Sequence, residues 1–135
     1  GSNNLSVLIG DGLGGFSETS ASPIAVGTSP VALAASDFNA DGDLDLLAAN
    51  SGSAELTILL GGGTGDFSEA AESPIELEPS SVTPSLSLSV GDIDGDTRPD
   101  AIVVWDGRSS FDETLSVLTS DVLFLTDFGD SALSN

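Results

Sequence analysis

The sequence predicts an all-β fold of tandem four-stranded antiparallel units. Three observations carry this: a long internal repeat, period-two apolar patterns, and glycine-rich turns between them. Set "LSVLIGDGLGGFSETSASPIAV", from Leu5, against "LTILLGGGTGDFSEAAESPIEL", from Leu56, and 11 of 22 positions are identical at an offset of 51 residues. An acidic stretch repeats as well: "DFNADGDLD" from Asp37 returns as "DIDGDTRPD" from Asp92 at an offset of 55, so four extra residues fall around Glu78 to Ser85. One unit is therefore about 50 residues long, and 135 residues form one domain by default. That single domain, 1–135, divides into units 3–30 (partial), 31–77 and 78–135, the last strand being degenerate or incomplete.

The strands follow in chain order. The N-terminal partial copy supplies the third and fourth strands of a unit. In the next copy the first two fall at 31–36 and 44–50. Taken alone, "VALAAS" and "LDLLAAN" could be helical, but their counterparts are "SLSLSVGD", which alternates strictly, and the β-branched run "DAIVVW". The repeat therefore decides for strand. "ELTILLGGG" gives a third strand at 55–60 that ends in turn-formers, and a fourth spans 67–77. The following copy has strands at 85–91, 100–105 and 114–119 before "TDFGD" near Phe128 fades. Turns "GDGLGG" and "GGGTGD" separate third strands from fourth, and the acidic nonapeptide separates first from second. Tandem four-stranded sheets of this length are blades of a β-propeller, here a partial one of about two and a half blades.

Charge excludes several functions. With 2 Lys+Arg against 22 Asp+Glu and no His, the net charge is -20. Such a surface is repelled by phosphate backbones and anionic lipid, which argues against nucleic-acid partners and membrane association. No apolar run approaches the roughly 18 residues of a membrane span, which argues against insertion. Gly1–Ser2 has the look of an expression scar, and no basic, apolar-cored signal segment opens the chain, so a native signal is expected to have been trimmed. The absence of Cys removes disulfides and thiolate-bound zinc. Without His, Cys, Tyr or Lys the usual bases and nucleophiles are missing, so the chain is read as a non-enzyme. Mean hydropathy of +0.22 still favours a folded chain.

The acidic nonapeptides are the candidate site. An isolated aspartate in a turn is ordinarily solvated, but eight of the fifteen Asp residues fall in these two windows at matched spacing. Carboxylates that close repel one another unless a cation sits among them. Alternate residues with a sharp turn at position six can wrap a hard cation, with a backbone carbonyl at position seven. In the first loop the ligands are Asp37, Asn39, Asp41, the Asp43 carbonyl and Asp45, with Gly42 at the turn. In the second they are Asp92, Asp94, Asp96, the Arg98 carbonyl and Asp100, but Thr97 stands where glycine is expected. If that position needs φ > 0, a β-branched residue costs stability there, making the second the weaker site. Oxygen-only ligands favour Ca²⁺ over zinc or copper, and several side-chain ligands favour it over Mg²⁺. An EF-hand fails because position twelve is Ala48 or Val103, each inside an expected strand. Acids outside the loops, such as Glu69, Glu72, Glu76 and Glu78, read as a solvated edge.

The stretch "PVALAASDFNADGDLDLLAANSGSAELTILLGGGTGDFSEA" resembles the bacterial VCBS/FG-GAP repeat family, related to the integrin α-subunit propeller; the most specific shared element is D-x-[DN]-x-D-G-x-x-D between two strands. The resemblance implies calcium in the loop joining the first two strands of a blade. It also implies a secreted or cell-surface protein, bacterial in kind, that acts as a structural, adhesive or ligand-recognition scaffold. Phe16-Ser17 and Phe67-Ser68 stand without Gly-Ala-Pro, so integrin-type specificity is not implied. A calcium-responsive sensor, or part of a carbohydrate-active enzyme, is the alternative. The expected partner is a protein or glycan ligand. "WDGRSSFDET" has recognition character through Trp105, Arg108 and Phe111, although Trp105 equally reads as strand-end packing between blades with Arg108 offsetting local acid. Exposed blade edges at the two ends also suggest a homo-oligomer.

Overall fold

A computed structural model describes residues 1–77, 85–106, 113–119 and 122–127. Among them there are strands and turns and no helix. In chain order the strands are β1 (Asn4–Leu5), β2 (Leu8–Gly10), β3 (Phe16–Glu18), β4 (Ile24–Ala25), β5 (Pro30–Ser36), β6 (Asp45–Asn50) and β7 (Glu55–Gly61). Then come β8 (Phe67–Glu69), β9 (Ile75–Glu76), β10 (Ser85–Gly91), β11 (Asp100–Asp106), β12 (Glu113–Thr119) and β13 (Val122–Asp127). All pairings are antiparallel. Two larger sheets run β5-β6-β7-β8, with β9 also on β7, and β10-β11-β12-β13, while β1 pairs with β4 and β2 with β3 in two two-stranded sheets. The fold is all-β and β-propeller-like, as the repeat and the strand patterns predict.

The expected strand 67–77 is two short pieces, β8 and β9, both paired with β7. The chain turns between them, with the Ser73 amide donating to the Ala70 carbonyl at 3.1 Å, and Pro74 has no N–H to give a ladder. The Ile58 amide faces the interruption and donates to Ser73 Oγ at 3.1 Å, while Ser73 Oγ donates to Glu69 Oε1 at 2.8 Å. The N-terminal copy repeats this arrangement. There the Val7 amide donates to Ser22 Oγ at 3.2 Å and Ser22 Oγ to Glu18 Oε1 at 2.6 Å. A serine side chain thus replaces the missing strand partner in both copies. β13 pairs with β12 after residue 119, where the sequence shows no strict alternation.

β6 carries a nearly continuous run of buried residues, because it is a central strand covered on both faces. This explains why "DLLAAN" lacks the alternation of an exposed strand. The core lies between the two larger sheets: Leu47, Ala49 and Leu56 of the first meet Leu86, Ala101 and Val103 of the second, with Leu77 joining them. β10 lies along β5 and β6, so the first strands of adjacent units sit side by side. The acidic loops join first strands to second strands, and both therefore emerge at the same position of their sheets.

Candidate metal centres in the acidic loops

The two nonapeptides fold into the same loop. At position one, Asp37 Oδ2 accepts the Gly42 amide at 2.9 Å, and Asp92 Oδ2 accepts the Thr97 amide at 3.0 Å. At position three, Asn39 Oδ1 accepts the Asp41 amide at 3.0 Å, and Asp94 Oδ1 accepts the Asp96 amide at 3.1 Å. At position five, Asp41 Oδ1 accepts the Asp43 amide at 2.9 Å, and Asp96 Oδ1 accepts the Arg98 amide at 2.8 Å. At position nine, Asp45 Oδ2 and Asp100 Oδ2 accept the Phe38 and Ile93 amides, each at 2.8 Å. Short acidic side chains that bind backbone N–H groups a few residues away are what bend this segment into a loop.

Two positions in each loop require left-handed backbone. Position four has φ 61° at Ala40 and 84° at Gly95; position six has φ 95° at Gly42 and 74° at Thr97. The expected demand for φ > 0 at Thr97 is met, and a second such demand exists two residues earlier. Each loop satisfies one with glycine and one without, in opposite order. Alanine at position 40 conceals the requirement in the first copy, and comparison with Gly95 in the second is the signal that reveals it.

Position nine anchors the loop. Asp45 and Asp100 are 0% and 1% exposed. Asp45 also uses Oδ1 to accept the Gly61 amide at 2.9 Å, so one carboxylate joins the loop to the end of β7. Gly61 permits this approach, since a Cβ there would lie 2.1 Å from the Leu44 carbonyl oxygen. Sequence reasoning did not single out Gly61, although its match to Gly10 across the repeat is a signal. Asp43 is half-buried, and its carboxylate lies beside Gly63: a Cβ there would come within 2.6 Å of Asp43 Oδ1.

Asp92, Asp94 and Asp100 each bring one oxygen to a common place, all within 4.8 Å of one another. Such a group could hold a metal ion, and it lies in the loop that Thr97 marked as the weaker site. Asp96 is half-buried with its carboxylate on the Arg98 amide, and the Arg98 side chain is exposed. In the first loop position three is the amide Asn39, whose Nδ2 donates to Asp41 Oδ2 at 2.8 Å; Asp37 is half-buried and Asp41 exposed.

The electrostatics of the loops differ accordingly. Hydrogen bonds from the Asp43 amide and then from the Asn39 side chain hold Asp41 below the usual carboxylate range. At Asp94 the Asp96 amide also pulls the pKa down. Loss of water and the charges of Asp96, Asp100 and Asp92 outweigh it and leave Asp94 raised. A carboxylate pushed up by like charges is stabilised by a neighbouring cation. The fit is therefore sound: three oxygen donors converge, and their mutual repulsion favours positive charge.

Paired antiparallel sheets, a repeat of about 50 residues and an acidic loop between the first two strands define a tandem-repeat protein of the blade-forming class. The chain belongs to the FG-GAP-like repeat family, whose sequence profile matches residues 1–48 and again 37–103. No curated protein and no solved structure matches it. The recognition segment around Arg108 and Phe111 lies outside the described residues, as do Glu78 and Phe128. Among the described residues there is no helix long and apolar enough to cross a membrane.

Proposed function

We propose that the chain is a calcium-stabilised module of an extracellular protein, a non-enzymatic scaffold for adhesion or for recognition of a protein or glycan ligand. The convergence of Asp92, Asp94 and Asp100 carries the reading. Asp92, Asp94, Asp96 and Asp100 would hold the ion in the second loop, with the Arg98 carbonyl. Asp37, Asn39, Asp41 and Asp45, with the Asp43 carbonyl, would hold it in the first. When bound, Ca²⁺ supplies two positive charges to a ring of hard oxygen ligands. The chain's own contribution is to fix those ligands, through the amide bonds at positions one, three and five and the buried aspartate at nine.

Thermal melts in EDTA and in millimolar CaCl₂ test the proposal. At free Ca²⁺ a hundredfold above Kd each site adds about 2.7 kcal/mol. Identical midpoints, together with no calorimetric heat on titration, would remove calcium from the function. A structural ion should mainly suppress unfolding, so solution scattering should give the same folded shape with and without Ca²⁺.

A further inference from the structure

The strand register sets three oxygen-bearing side chains in a row across the first large sheet, at the end away from the acidic loop. Asn50 closes β6, Glu55 opens β7 and Glu76 closes β9, and the pairs Asn50↔Glu55 and Glu55↔Glu76 stand directly opposite each other. Directly opposite residues share one face of a sheet. This is the face away from Leu47, Ala49 and Leu56, and the segment leading from β4 to β5 lies over it. The Gly27 amide donates to Thr57 Oγ1 at 3.4 Å and the Thr28 amide to Ser53 Oγ at 2.9 Å. Gly27 rests against the row itself: a Cβ there would overlap Glu55 Oε1 and come within 2.6 Å of Asn50 Nδ2 and of Ser53 Oγ. The junction between the first two repeat units is thus lined with polar atoms.

Asn50 is 0% exposed. Its Nδ2 donates to Thr57 Oγ1 at 2.9 Å, but Oδ1 is buried and, among the described residues, accepts from no donor. A buried acceptor left in this state calls for a water or an ion. The two glutamates beside it decide between them. Like charges directly opposite on neighbouring strands oppose folding, and the only basic side chain among the described residues, Arg98, belongs to the second acidic loop. A water would satisfy the amide oxygen and leave the carboxylates opposed, whereas a divalent cation answers both. We infer that the junction is a binding site for a hard divalent cation of the Ca²⁺ class, held by Asn50 Oδ1 and by carboxylate oxygens of Glu55 and Glu76. The ion would tie β6, β7 and β9 together beneath the segment that carries the chain in from the preceding unit. From sequence Glu76 reads as a solvated edge, and its register beside Glu55 is what changes that reading. The site lies at the opposite end of the sheet from the first acidic loop and does not rest on either loop binding an ion.

The test uses the full chain carrying Asp41→Ala and Asp94→Ala, which disable the two acidic loops, and reads hydrogen exchange at the Gly27 and Thr28 amides. An ion bound at the junction suppresses its opening by the factor 1 + [Ca²⁺]/Kd, so exchange should slow about tenfold at free Ca²⁺ ten times Kd. The effect should be lost with Glu55→Gln, weakened with Glu76→Gln, and absent when NaCl replaces CaCl₂ at equal ionic strength. Unchanged exchange, equal slowing in Glu55→Gln or equal slowing by NaCl would overturn the inference, the last by reducing it to ordinary screening. A second measurement leaves the loops intact. Equilibrium dialysis against labelled calcium should count one ion fewer per chain when Glu55→Gln and Glu76→Gln are combined than in the unsubstituted protein, and equal counts would overturn the inference as well. A junction response with no ion in the loops would keep this site and sink the calcium reading of the loops, whereas occupied loops with no junction response would do the reverse.

Discussion

Replacing Thr97 by glycine should stabilise the protein, against the ordinary trend for substitutions in a loop. Thr97 sits at φ 74°, where its β-branched side chain crowds the backbone, and Gly42 occupies the same position of the first loop at φ 95°. A non-glycine residue in this region costs roughly 1–2 kcal/mol. Glycine gives back about 0.5–1 kcal/mol through the greater freedom of the unfolded chain. The balance is a gain of about 0.5–1 kcal/mol, or about 2–4 °C in Tm for a domain of this size. The bond from the Thr97 amide to Asp92 Oδ2 involves backbone alone, so the substitution leaves it in place. Thermal unfolding in EDTA reads the effect free of any bound ion, and Ala40→Gly, at φ 61°, should give a gain of the same sign. The mirror variants Gly42→Ala and Gly95→Ala should lose stability even though no atom lies within 4 Å of a Cβ at either place. Their loss would be backbone strain alone. The account fails if Thr97→Gly lowers Tm while Gly42→Ala leaves it unchanged.

Asp94→Asn should lower the Ca²⁺-induced rise in Tm while leaving the melt in EDTA unchanged or raised. Asparagine keeps the acceptor for the Asp96 amide, as Asn39 does in the first loop, and removes a charge that its neighbours oppose. Asp45→Asn should cost about 1–3 kcal/mol, since it puts an amide N–H₂ where buried backbone donors need acceptors; denaturant titration checks it. Ser73→Ala leaves the Ile58 amide without its hydroxyl acceptor and should cost about 1 kcal/mol, with faster hydrogen exchange at Ile58. On lowering pH, Asp41 contributes in a definite direction. Its folded pKa lies below the unfolded one, so its stabilisation is present above the unfolded value and is lost as pH falls through the folded one. Asp41→Asn should flatten that part of an acid titration followed by circular dichroism.

Much of the fold was legible because two copies constrain each other. "VALAAS" and "LDLLAAN" are ambiguous alone, and their counterparts, the strictly alternating "SLSLSVGD" and the β-branched "DAIVVW", resolved them as strands, seen as β5 and β6. The broken fourth strand was not legible from apolar pattern, because the interruption is made by Pro23 and Pro74 with a serine hydroxyl taking over the amide. That information lies in polar residues that a periodicity reading passes over. The loop positions were legible from spacing, and so was the backbone demand at Thr97. Which loop gathers its carboxylates was not, because turn residues and charge pull in opposite directions. Thr97 is the poorer turn residue, yet its loop has Asp94 where the other has Asn39, and it brings three carboxylates together.

This opposition bears on what a cation would do. In both loops the backbone path is set by bonds from amides to acidic or amide side chains, and at position nine a buried aspartate accepts backbone donors. Those bonds hold the aspartates in place, and in doing so they hold like charges near one another, at a cost that shows in the raised Asp94. Folding and repulsion are thus properties of the same side chains: removing an aspartate relieves the repulsion and also removes an amide's acceptor. Asparagine separates the two effects, because it keeps one oxygen acceptor and discards the charge. The first loop already contains that separation at Asn39, and the second contains the charged version at Asp94. A cation should therefore add more stability to the second loop than to the first, since the second has more repulsion to relieve. Titrating Ca²⁺ into Asp41→Ala and Asp94→Ala variants, each leaving one loop intact, tests the order. A larger rise in Tm from the first loop would show that ligand charge is not what the ion responds to here.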